Sequence, residues 1–223
     1  ESVSVWLEVP KDLREAFRYK SGQYLNCRAI INGEEVRKSY SICSVPEDPY
    51  LVIAVKLVHG GKMSTYINKH LKTGDVFEVT PPEGKFVLPD LIPEDALLVF
   101  FAAGSGITPV MSLIRFYLTH HPKGQVVLFY SNKSSDSIIF REQLEALKNE
   151  HMQRFSVYYI LTREVTGVDL LSGRIDQEKC RVFGKHFFDP SEVYMSFICG
   201  PELMIMDVKA GLENMGIPEE QIR

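Results

Sequence analysis

The sequence predicts a two-domain protein: an antiparallel β-barrel over residues 1–92, followed by an α/β domain with a parallel sheet over residues 93–223. Up to about Pro89, short strand-like segments are separated by Gly, Pro and Asn turns, as in antiparallel folds. Beyond that point, strand-like and helix-like segments alternate. Residues 96–102 are continuously apolar, which is typical of a parallel strand buried on both faces. The order favours a parallel sheet with helices on both sides.

In the first domain, β patterns recur between turn residues. They predict strands over residues 1–9, 22–31, 39–43, 50–58 and 76–79. Asn32-Gly33 predicts a tight hairpin turn because both residues tolerate positive φ. Residues 64–71 have helical spacing, and the Pro-rich segment 89–95 is typical of a linker.

In the second domain, apolar runs and helical periodicity alternate. They predict strands over residues 96–102, 125–130, 155–161 and 194–199, and helices over residues 110–118, 137–149 and 202–215.

The composition is that of a globular protein, with 45% hydrophobic and 24% charged residues and a net charge of -4. The acidic balance argues against nucleic acid as the main partner. Neither a membrane-spanning run nor a signal peptide is visible, and we expect a cytoplasmic protein. The four cysteines lack CxxC spacing, so we expect reduced thiols and no metal site. Both ends suggest a piece of a longer chain, since the sequence starts inside a strand pattern and without Met.

Residues 102–109 form a glycine-containing turn between the apolar strand and a predicted helix. Gly104 and Gly106 would let a phosphate approach the backbone, and the helix start supplies free N–H groups. Thr108 can add a hydroxyl donor, and Pro109 suits a first helical turn. A plain strand–helix turn is the alternative, but the context favours a nucleotide site.

A second turn of this design follows the strand at 194–199. Cys199, Gly200 and Pro201 lead into a helix whose first turn contains Met204. Ligands of open parallel sheets bind beyond the carboxyl ends of the strands, so Cys199 would lie at the mouth of the cleft. An ordinary helix start explains the turn equally well, but two such turns in one small sheet favour a dinucleotide.

A third candidate lies in the first domain, between a strand and a helix. Gly60, Gly61, Lys62 and Ser64 combine a flexible backbone, a cation and a hydroxyl at a helix start, which suits an anion. The alternative is a capped helix with Ser64 as its N-cap and a solvated Lys62.

The fourth candidate is a strand segment with two cations, an aromatic residue and hydroxyls. Strand alternation puts Lys38 and Tyr40 on one face and Ser39 and Ser41 on the other, with Arg37 just before them. A cation can pair with a phosphate, and a Tyr can lie against a ring. A solvated edge strand is the alternative.

In this order along the chain, the motifs resemble those of the ferredoxin–NADP reductase superfamily, and the resemblance covers essentially the whole chain. The matches are its RxYS flavin motif, its flavin pyrophosphate loop, the segment closing its flavin domain and its two nucleotide motifs. They fall at residues 38–41, 60–64, 82–86, 104–109 and 199–201. Residues 40–44, 130–133 and 171–175 are most similar to reductase components of multicomponent oxygenases, especially the phenylacetyl-CoA epoxidase reductases of phenylacetate degradation.

Two features depart from the family pattern. The Arg of the flavin motif is Lys38 here, and Lys is not equivalent to Arg at a bidentate phosphate contact. Either Lys38 makes a point contact, or a local shift lets Arg37 reach the phosphate. In addition, the resembled reductases carry a plant-type iron–sulfur domain after the nucleotide domain, and its cysteine spacing does not occur here. A 2Fe–2S cluster is therefore expected only in a further C-terminal domain.

The resemblance implies hydride transfer from NAD(P)H to FAD, with FAD bound by residues 1–92 and NAD(P) by residues 93–223. It places Tyr40 beside the isoalloxazine, Ser41 near its N5 and Cys199 near the nicotinamide. The implied flavin contacts are Arg37, Lys38, Ser39, Tyr40, Ser41, Val55, Lys56, Val58, Gly60, Gly61, Lys62, Met63, Ser64 and Thr65. The implied nicotinamide nucleotide contacts are Gly104, Gly106, Thr108, Pro109, Asn132, Lys133, Thr162, Arg163, Cys199, Gly200, Pro201 and Met204.

Cofactor preference and partners follow from the same resemblance. Lys133 and Arg163 end two predicted strands, where they suit a 2′-phosphate, so NADPH is favoured while NADH stays open. Electrons would pass to an iron–sulfur domain or ferredoxin that serves an oxygenase, with no nucleic acid or membrane involved. Three alternatives remain: a free-standing flavin reductase or diaphorase, a flavin-carrying electron-transfer subunit, and a nucleotide-binding module without flavin.

Overall fold

The structure is a computed structural model that describes residues 2–165 and 167–223. Glu1, with which the first predicted strand begins, lies outside the described residues. The chain divides into two compact units. One comprises the chain up to Leu88 together with Met111–Leu113, and the other comprises Pro89–Val110 together with Ile114–Arg223.

The first unit consists of antiparallel strands and one helix, which confirms the predicted class. Its elements are β1 (Ser2–Leu7), β2 (Tyr24–Ile31), β3 (Glu34–Ser41), β4 (Leu51–Lys56), α1 (Lys62–Lys69) and β5 (Glu78–Val79). Strand β1 pairs with β4, and β2 pairs with both β3 and β5. A bridge between Ile42 and Ile53 links the two ladders. Leu25, Ile53 and Met63 belong to the apolar core that they share.

The β2–β3 hairpin fixes the register of the candidate flavin motif. Asn32 and Gly33 have φ values of 53° and 79°, the left-handed pair that a tight two-residue turn requires. The hairpin prediction is therefore confirmed. From this turn, pairing runs from Ile31 opposite Glu34 to Tyr24 opposite Ser41. A slip of one residue would move every side chain of β3 to the other face.

Several predicted boundaries in this unit were wrong. Strand β3 begins at Glu34 rather than at residue 39, because the hairpin ladder extends to the turn. Helix α1 begins at Lys62, two residues early. Strand β5 covers only Glu78 and Val79, and the Val76 side chain is 97% exposed, so its apolar character does not indicate burial.

The second unit is an α/β fold with a four-stranded parallel sheet, as predicted. Its elements are β6 (Leu97–Ala103), α2 (Ile107–His120), β7 (Gln125–Asn132), α3 (Arg141–Glu150), β8 (Phe155–Leu161), α4 (Gln177–His186), β9 (Val193–Cys199) and α5 (Glu202–Asn214). The strand order is β8-β7-β6-β9. Strands β7 and β6 are therefore the two inner strands, and the carboxyl end of β6 lies beside those of β7 and β9. Within the described ranges, no helix is long and apolar enough to cross a membrane.

Phe129 is at the centre of the aromatic core on one face of this sheet. Its ring stacks on Phe101 and Phe183 at centroid distances of 5.0 and 4.3 Å. Side chains of α4 and α5, including Cys180 and Val208, complete the same cluster. Burial of these rings holds the two helices against the strands.

Helix α2 (Ile107–His120) and strand β7 (Gln125–Asn132) are longer than the predicted 110–118 and 125–130. Two further features of this unit differ from the predictions. The predicted helix 137–149 begins only at Arg141, because Phe140 adopts a left-handed φ of 61° and ends the preceding loop. Ile139 is buried in that loop, which explains its apolar signal. Helix α4 was not predicted. The Asp176 side chain caps it by accepting the Lys179 N–H at 2.8 Å.

Replacing Phe129 with Ala should lower the free energy of unfolding by about 3–5 kcal/mol, since it leaves a cavity among stacked rings. Denaturant unfolding followed by far-UV circular dichroism measures the change. Met152→Ala is the matched control because Met152 is 76% exposed, and it should change stability by less than about 0.5 kcal/mol. Equal losses in the two variants would contradict this assignment of the core.

Candidate functional site

The outer end of β3 presents one cation and one aromatic side chain on the same face. Lys38 lies opposite Cys27 and Tyr40 opposite Leu25, and both of those partners are buried in the core. Lys38 itself is exposed, and Tyr40 is half-buried at the edge of the core. Burial raises the pKa of Tyr40 to about 12, so its phenol is neutral at physiological pH. This face offers a charge and a flat ring to a ligand.

Arg37 points to the other face of β3 and is held there by one carboxylate, that of Glu35. Its Nε donates to Glu35 at 2.7 Å, and Glu35 also accepts from Arg28 at 2.6 Å. The hydrogen bond from Arg37 and that from Arg28 lower the pKa of Glu35. Lys38, in contrast, makes no ion pair with any residue in the described ranges. The geometry favours Lys38 over Arg37 as the cation that pairs with a phosphate group of a ligand.

The two serines of the motif lie on the face opposite Tyr40. The Ser39 hydroxyl donates to the Asn26 side-chain carbonyl at 2.6 Å. Ser41 is half-buried and pairs with Tyr24 across the ladder. A contact between Ser41 and a flavin N5 stays a prediction.

The glycine loop before α1 forms an open helix start. Gly60 has a φ of 72°, and no atom lies within 4 Å of the position that a Cβ would occupy. The Ser64 hydroxyl accepts the Val58 N–H and donates to the Gly61 carbonyl, both at 3.2 Å, which ties the loop to the helix. Gly61 is the N-cap, so the alternative with Ser64 as N-cap is wrong. The first N–H groups of the helix are left for an anion.

The remaining predicted flavin residues contribute unequally. The side chains of Val55 and Met63 are buried in the core, so only their backbone could meet a cofactor. Lys62 contacts the Glu34 carboxylate through its ammonium group and thereby lowers the pKa of Glu34. Lys56 at the end of β4 and Thr65 in the first turn of α1 are half-buried, and Val58 in the loop between these elements is exposed.

In the α/β unit, the two predicted nucleotide turns touch each other. A Cβ on Gly106 would overlap the Cys199 carbonyl oxygen and crowd the Gly200 nitrogen. Gly200 in turn lies against Ala103, since a Cβ there would be 3.0 Å from the Ala103 Cβ. This close approach follows from the register, which places Ala102 beside Cys199. Glycine is therefore needed at Gly106 for space rather than for conformation, because its φ is -61°.

At Gly104, by contrast, glycine is needed for its backbone conformation. Its φ is 53°, which favours glycine, and the space around its missing Cβ is open to a ligand. Its carbonyl accepts the Ile107 N–H at the start of α2. The buried Thr108 hydroxyl donates to the Ser105 carbonyl at 2.9 Å, so that donor is already used within the turn. Pro109 lies in the first turn of α2, where it needs no acceptor.

Cys199 ends β9 as a half-buried free thiol, whereas Cys27, Cys43 and Cys180 are buried. Burial raises the pKa of the Cys199 thiol, which keeps it neutral. Helix α5 starts directly after Pro201. The buried Met204 side chain packs against Gly200, where a Cβ would be 2.6 Å from its Cε.

The four remaining residues predicted to contact the nicotinamide nucleotide are Asn132, Lys133, Thr162 and Arg163, and they lie together at the carboxyl ends of β7 and β8. The Thr162 N–H donates to the Asn132 carbonyl and the Arg163 N–H to the Lys133 carbonyl, both at 2.9 Å. Lys133 and Arg163 are exposed, and neither forms an ion pair with the described residues. Asn132 is only 5% exposed, and its amide atoms make no hydrogen bond of normal geometry in the described chain, although it lies close enough to Tyr130 to lower the pKa of that phenol. A polar group left in this way at a strand end suits a ligand.

Sequence reasoning missed two supports of this site. The backbone N–H and hydroxyl of Ser135 donate to the Glu164 carboxylate at 3.0 and 3.2 Å, which ties the loop after β7 to the end of β8. The Tyr130 hydroxyl donates to the Gly104 carbonyl at 2.9 Å. Only the Tyr130 hydrogen bond is indicated by the sequence, because a Tyr inside a buried strand needs a partner for its hydroxyl.

The fold and these turns define a protein with one nucleotide-binding surface in each unit, and comparison with known proteins gives the family. A model described as "Oxidoreductase FAD-binding domain" matches residues 5–88, and one described as "Oxidoreductase NAD-binding domain" matches residues 100–210. The chain belongs to the family of FAD- and NAD-binding oxidoreductases with the ferredoxin–NADP reductase fold. Its cofactors are FAD and NAD(P)H, and the resemblance predicted from the sequence is confirmed.

Three curated relatives show the range of the family. The chain is 36% identical to a 1,2-phenylacetyl-CoA epoxidase subunit of Escherichia coli, over 100% of this chain and 62% of that protein. It is 33% identical to the ferredoxin reductase component of 3-ketosteroid-9-alpha-monooxygenase from Rhodococcus rhodochrous, over 98% and 59%. It is 31% identical to NADH-cytochrome b5 reductase 1 of Dictyostelium discoideum, over 90% and 68%. The chain thus spans about three fifths of the length of the first two relatives.

A solved structure supports the fold. The ferredoxin NADP+ reductase from Neisseria gonorrhoeae, crystallised with FAD and NADP, superposes with a TM-score of 0.81 at 23% identity. The superposition covers 100% of this chain and 91% of that one.

Gly106→Ala should weaken NADP+ binding on the order of tenfold or more, because the new methyl group forces the two turns apart. Gly124→Ala is the matched control, since its Cβ would overlap the buried Tyr117 ring at the other end of the sheet. Both should lose about 1–3 kcal/mol of stability. Calorimetric titration with NADP+ separates them, and equal losses of affinity would show that the effect is one of stability alone.

Lys38→Ala should raise the Kd for FAD by about tenfold to hundredfold, the cost of one charge-assisted phosphate contact. Arg37→Ala should change it less than about twofold, because Arg37 is held by Glu35 on the other face. Flavin fluorescence quenching measures both constants. The reverse order would assign the phosphate to Arg37.

Proposed function

We propose that this chain is the reductase part of an oxygenase system: it oxidises NAD(P)H, reduces FAD and passes electrons to an iron–sulfur domain or a ferredoxin. The observation that carries the proposal is the packing of Gly106 on the Cys199 carbonyl, which brings the starts of α2 and α5 together at the carboxyl edge of the sheet. The relatives named as part of an epoxidase and as a monooxygenase reductase component support the oxygenase setting.

Each unit takes one cofactor in this proposal. Residues 1–92 hold FAD and residues 93–223 hold the nicotinamide nucleotide. When bound, FAD accepts two electrons as a hydride and can release them singly. The chain's own residues bind the two cofactors and orient them. Lys38 supplies a charge, Tyr40 a neutral ring and the start of α1 its N–H groups. In this proposal Ser41 lies near the flavin N5 and Cys199 near the nicotinamide.

The ends of β7 and β8 discriminate between the two nicotinamide nucleotides. Lys133 and Arg163 are adjacent, exposed and free of ion pairs with the described residues, so both cations are available to a 2′-phosphate. The Glu164 carboxylate next to them is occupied by Ser135 and is held within the loop. This arrangement favours NADPH.

The electron acceptor follows from the relatives rather than from the geometry. Because the E. coli relative is a subunit of 1,2-phenylacetyl-CoA epoxidase, we take an epoxidase or related oxygenase of the cytoplasm as the final acceptor. An iron–sulfur group between flavin and oxygenase would take the electrons from the reduced flavin one at a time.

Acceptor assays of the FAD-loaded protein test this function. With NADPH, ferricyanide should be reduced rapidly, whereas cytochrome c reduction should be slow until a plant-type [2Fe–2S] ferredoxin is added. Rapid cytochrome c reduction that ferredoxin does not change would indicate a free-standing reductase instead. Bound FAD without oxidation of either nucleotide would overturn the proposal.

Arg163→Ala should raise the KM for NADPH by about tenfold to hundredfold and leave the KM for NADH within about twofold, because only NADPH has the 2′-phosphate. Steady-state kinetics with ferricyanide measures both values. Arg181→Ala is the control, since it removes an exposed arginine that pairs with Glu178 on α4. Equal effects of Arg163→Ala on the two nucleotides would remove Arg163 from this role.

A further inference from the structure

Tyr130 connects two loops at the carboxyl edge of the parallel sheet. Its side chain is fully buried in β7, and its hydroxyl makes two hydrogen bonds. It donates to the Gly104 carbonyl at 2.9 Å and accepts the Ile139 N–H at 3.3 Å. One phenol therefore joins the turn after β6 to the loop between β7 and α3.

Both loops contain a left-handed residue next to this phenol. Gly104 has a φ of 53°, and Phe140, directly after Ile139, has a φ of 61°. A bulky residue in this region costs free energy and persists only where its surroundings hold it. The hydrogen bond between Ile139 and Tyr130 is one of the interactions that hold Phe140 in place.

The bond to Gly104 fixes the direction of a peptide group in the nucleotide turn. In a trans peptide the C=O and the following N–H point in opposite directions. Because the Gly104 carbonyl points to Tyr130, the Ser105 N–H must point away from the buried sheet. The same carbonyl accepts the Ile107 N–H, so α2 starts from a peptide whose orientation is fixed twice.

We propose that Tyr130 is a positioning residue for the nicotinamide nucleotide, setting the orientation of the Gly104 turn and coupling it to the loop at residues 133–140. The inference rests on the proposed function, because it assumes that NAD(P)H binds at this turn. It assigns no contact between Tyr130 and the nucleotide. Burial raises the pKa of Tyr130 above its ordinary range, so the phenol remains a donor at every pH at which the enzyme would work.

The chain offers a matched control in Tyr117. Its side chain is also fully buried, and its hydroxyl donates to the Ala96 carbonyl at 2.6 Å. Ala96 precedes β6, whereas Gly104 follows it, so the two tyrosines make the same kind of bond at opposite ends of one strand. Loss of either hydroxyl removes a buried tyrosine–carbonyl bond, but only Tyr130 reaches the nucleotide turn.

The experiment compares Tyr130→Phe with Tyr117→Phe in the FAD-loaded protein, using ferricyanide as acceptor. Tyr130→Phe should raise the KM for NADPH and for NADH by the same factor, about fivefold to tenfold, with kcat within about twofold. The factor is shared because the turn serves the part that the two nucleotides have in common. Tyr117→Phe should leave both KM values within about twofold while losing similar thermal stability.

Three results would overturn the inference: unchanged KM values in Tyr130→Phe, an equal rise in Tyr117→Phe, or a rise for NADPH alone, which would place the effect at the 2′-phosphate. A wild-type protein that oxidises neither nucleotide would refute the proposed function instead. Hydrogen–deuterium exchange of the wild type needs no variant. NADP+ should slow exchange at residues 104–107 and 133–140 together, and protection of the first segment alone would contradict the coupling.

Discussion

The close approach of two glycine turns is the constraint on which the rest of the α/β unit depends. Parallel pairing of β6 with β9 places Ala102 beside Cys199, and the chain leaves both strands at the same edge. No side chain fits between Gly106 and the Cys199 carbonyl, so α2 and α5 start from turns in direct contact. Helix starts carry unpaired N–H groups and the positive end of the helix dipole, and here two of them lie side by side. A dinucleotide, with its two phosphates, matches such a surface chemically.

In the antiparallel unit, a hairpin turn determines which side chains of the candidate site share a face. The Asn32-Gly33 turn sets the β2–β3 register, and the register decides which cation shares a face with Tyr40. Arg37 is thereby committed to Glu35, and Lys38 remains for a ligand. If Lys38 is the residue that meets the flavin phosphate, as we propose, the replacement of the family's arginine changes the contact from a planar fork to a point charge and leaves its position unchanged.

Local signals in the sequence were sufficient for most of the fold and insufficient for the supports of the site. The apolar run of β6, the Asn32-Gly33 turn and both nucleotide turns are encoded by neighbouring residues, and each was predicted. Helix α4 was not predicted because charged residues surround its buried positions Cys180 and Phe183 and obscure the apolar periodicity of a helix. The choice between Arg37 and Lys38 needed the register. The bonds from Tyr130 to Gly104 and from Ser135 to Glu164 join residues 26 and 29 positions apart, and no periodic pattern indicates them.

Every role proposed for these residues depends on FAD being bound by this chain and reduced by NAD(P)H. Anaerobic titration of the FAD-loaded protein with NADPH follows that reduction directly, because flavin absorbance near 450 nm is lost only on reduction. Complete bleaching is expected at about one equivalent of NADPH, since both cofactors exchange two electrons. Full retention of the flavin spectrum with excess NADPH and with excess NADH would contradict it.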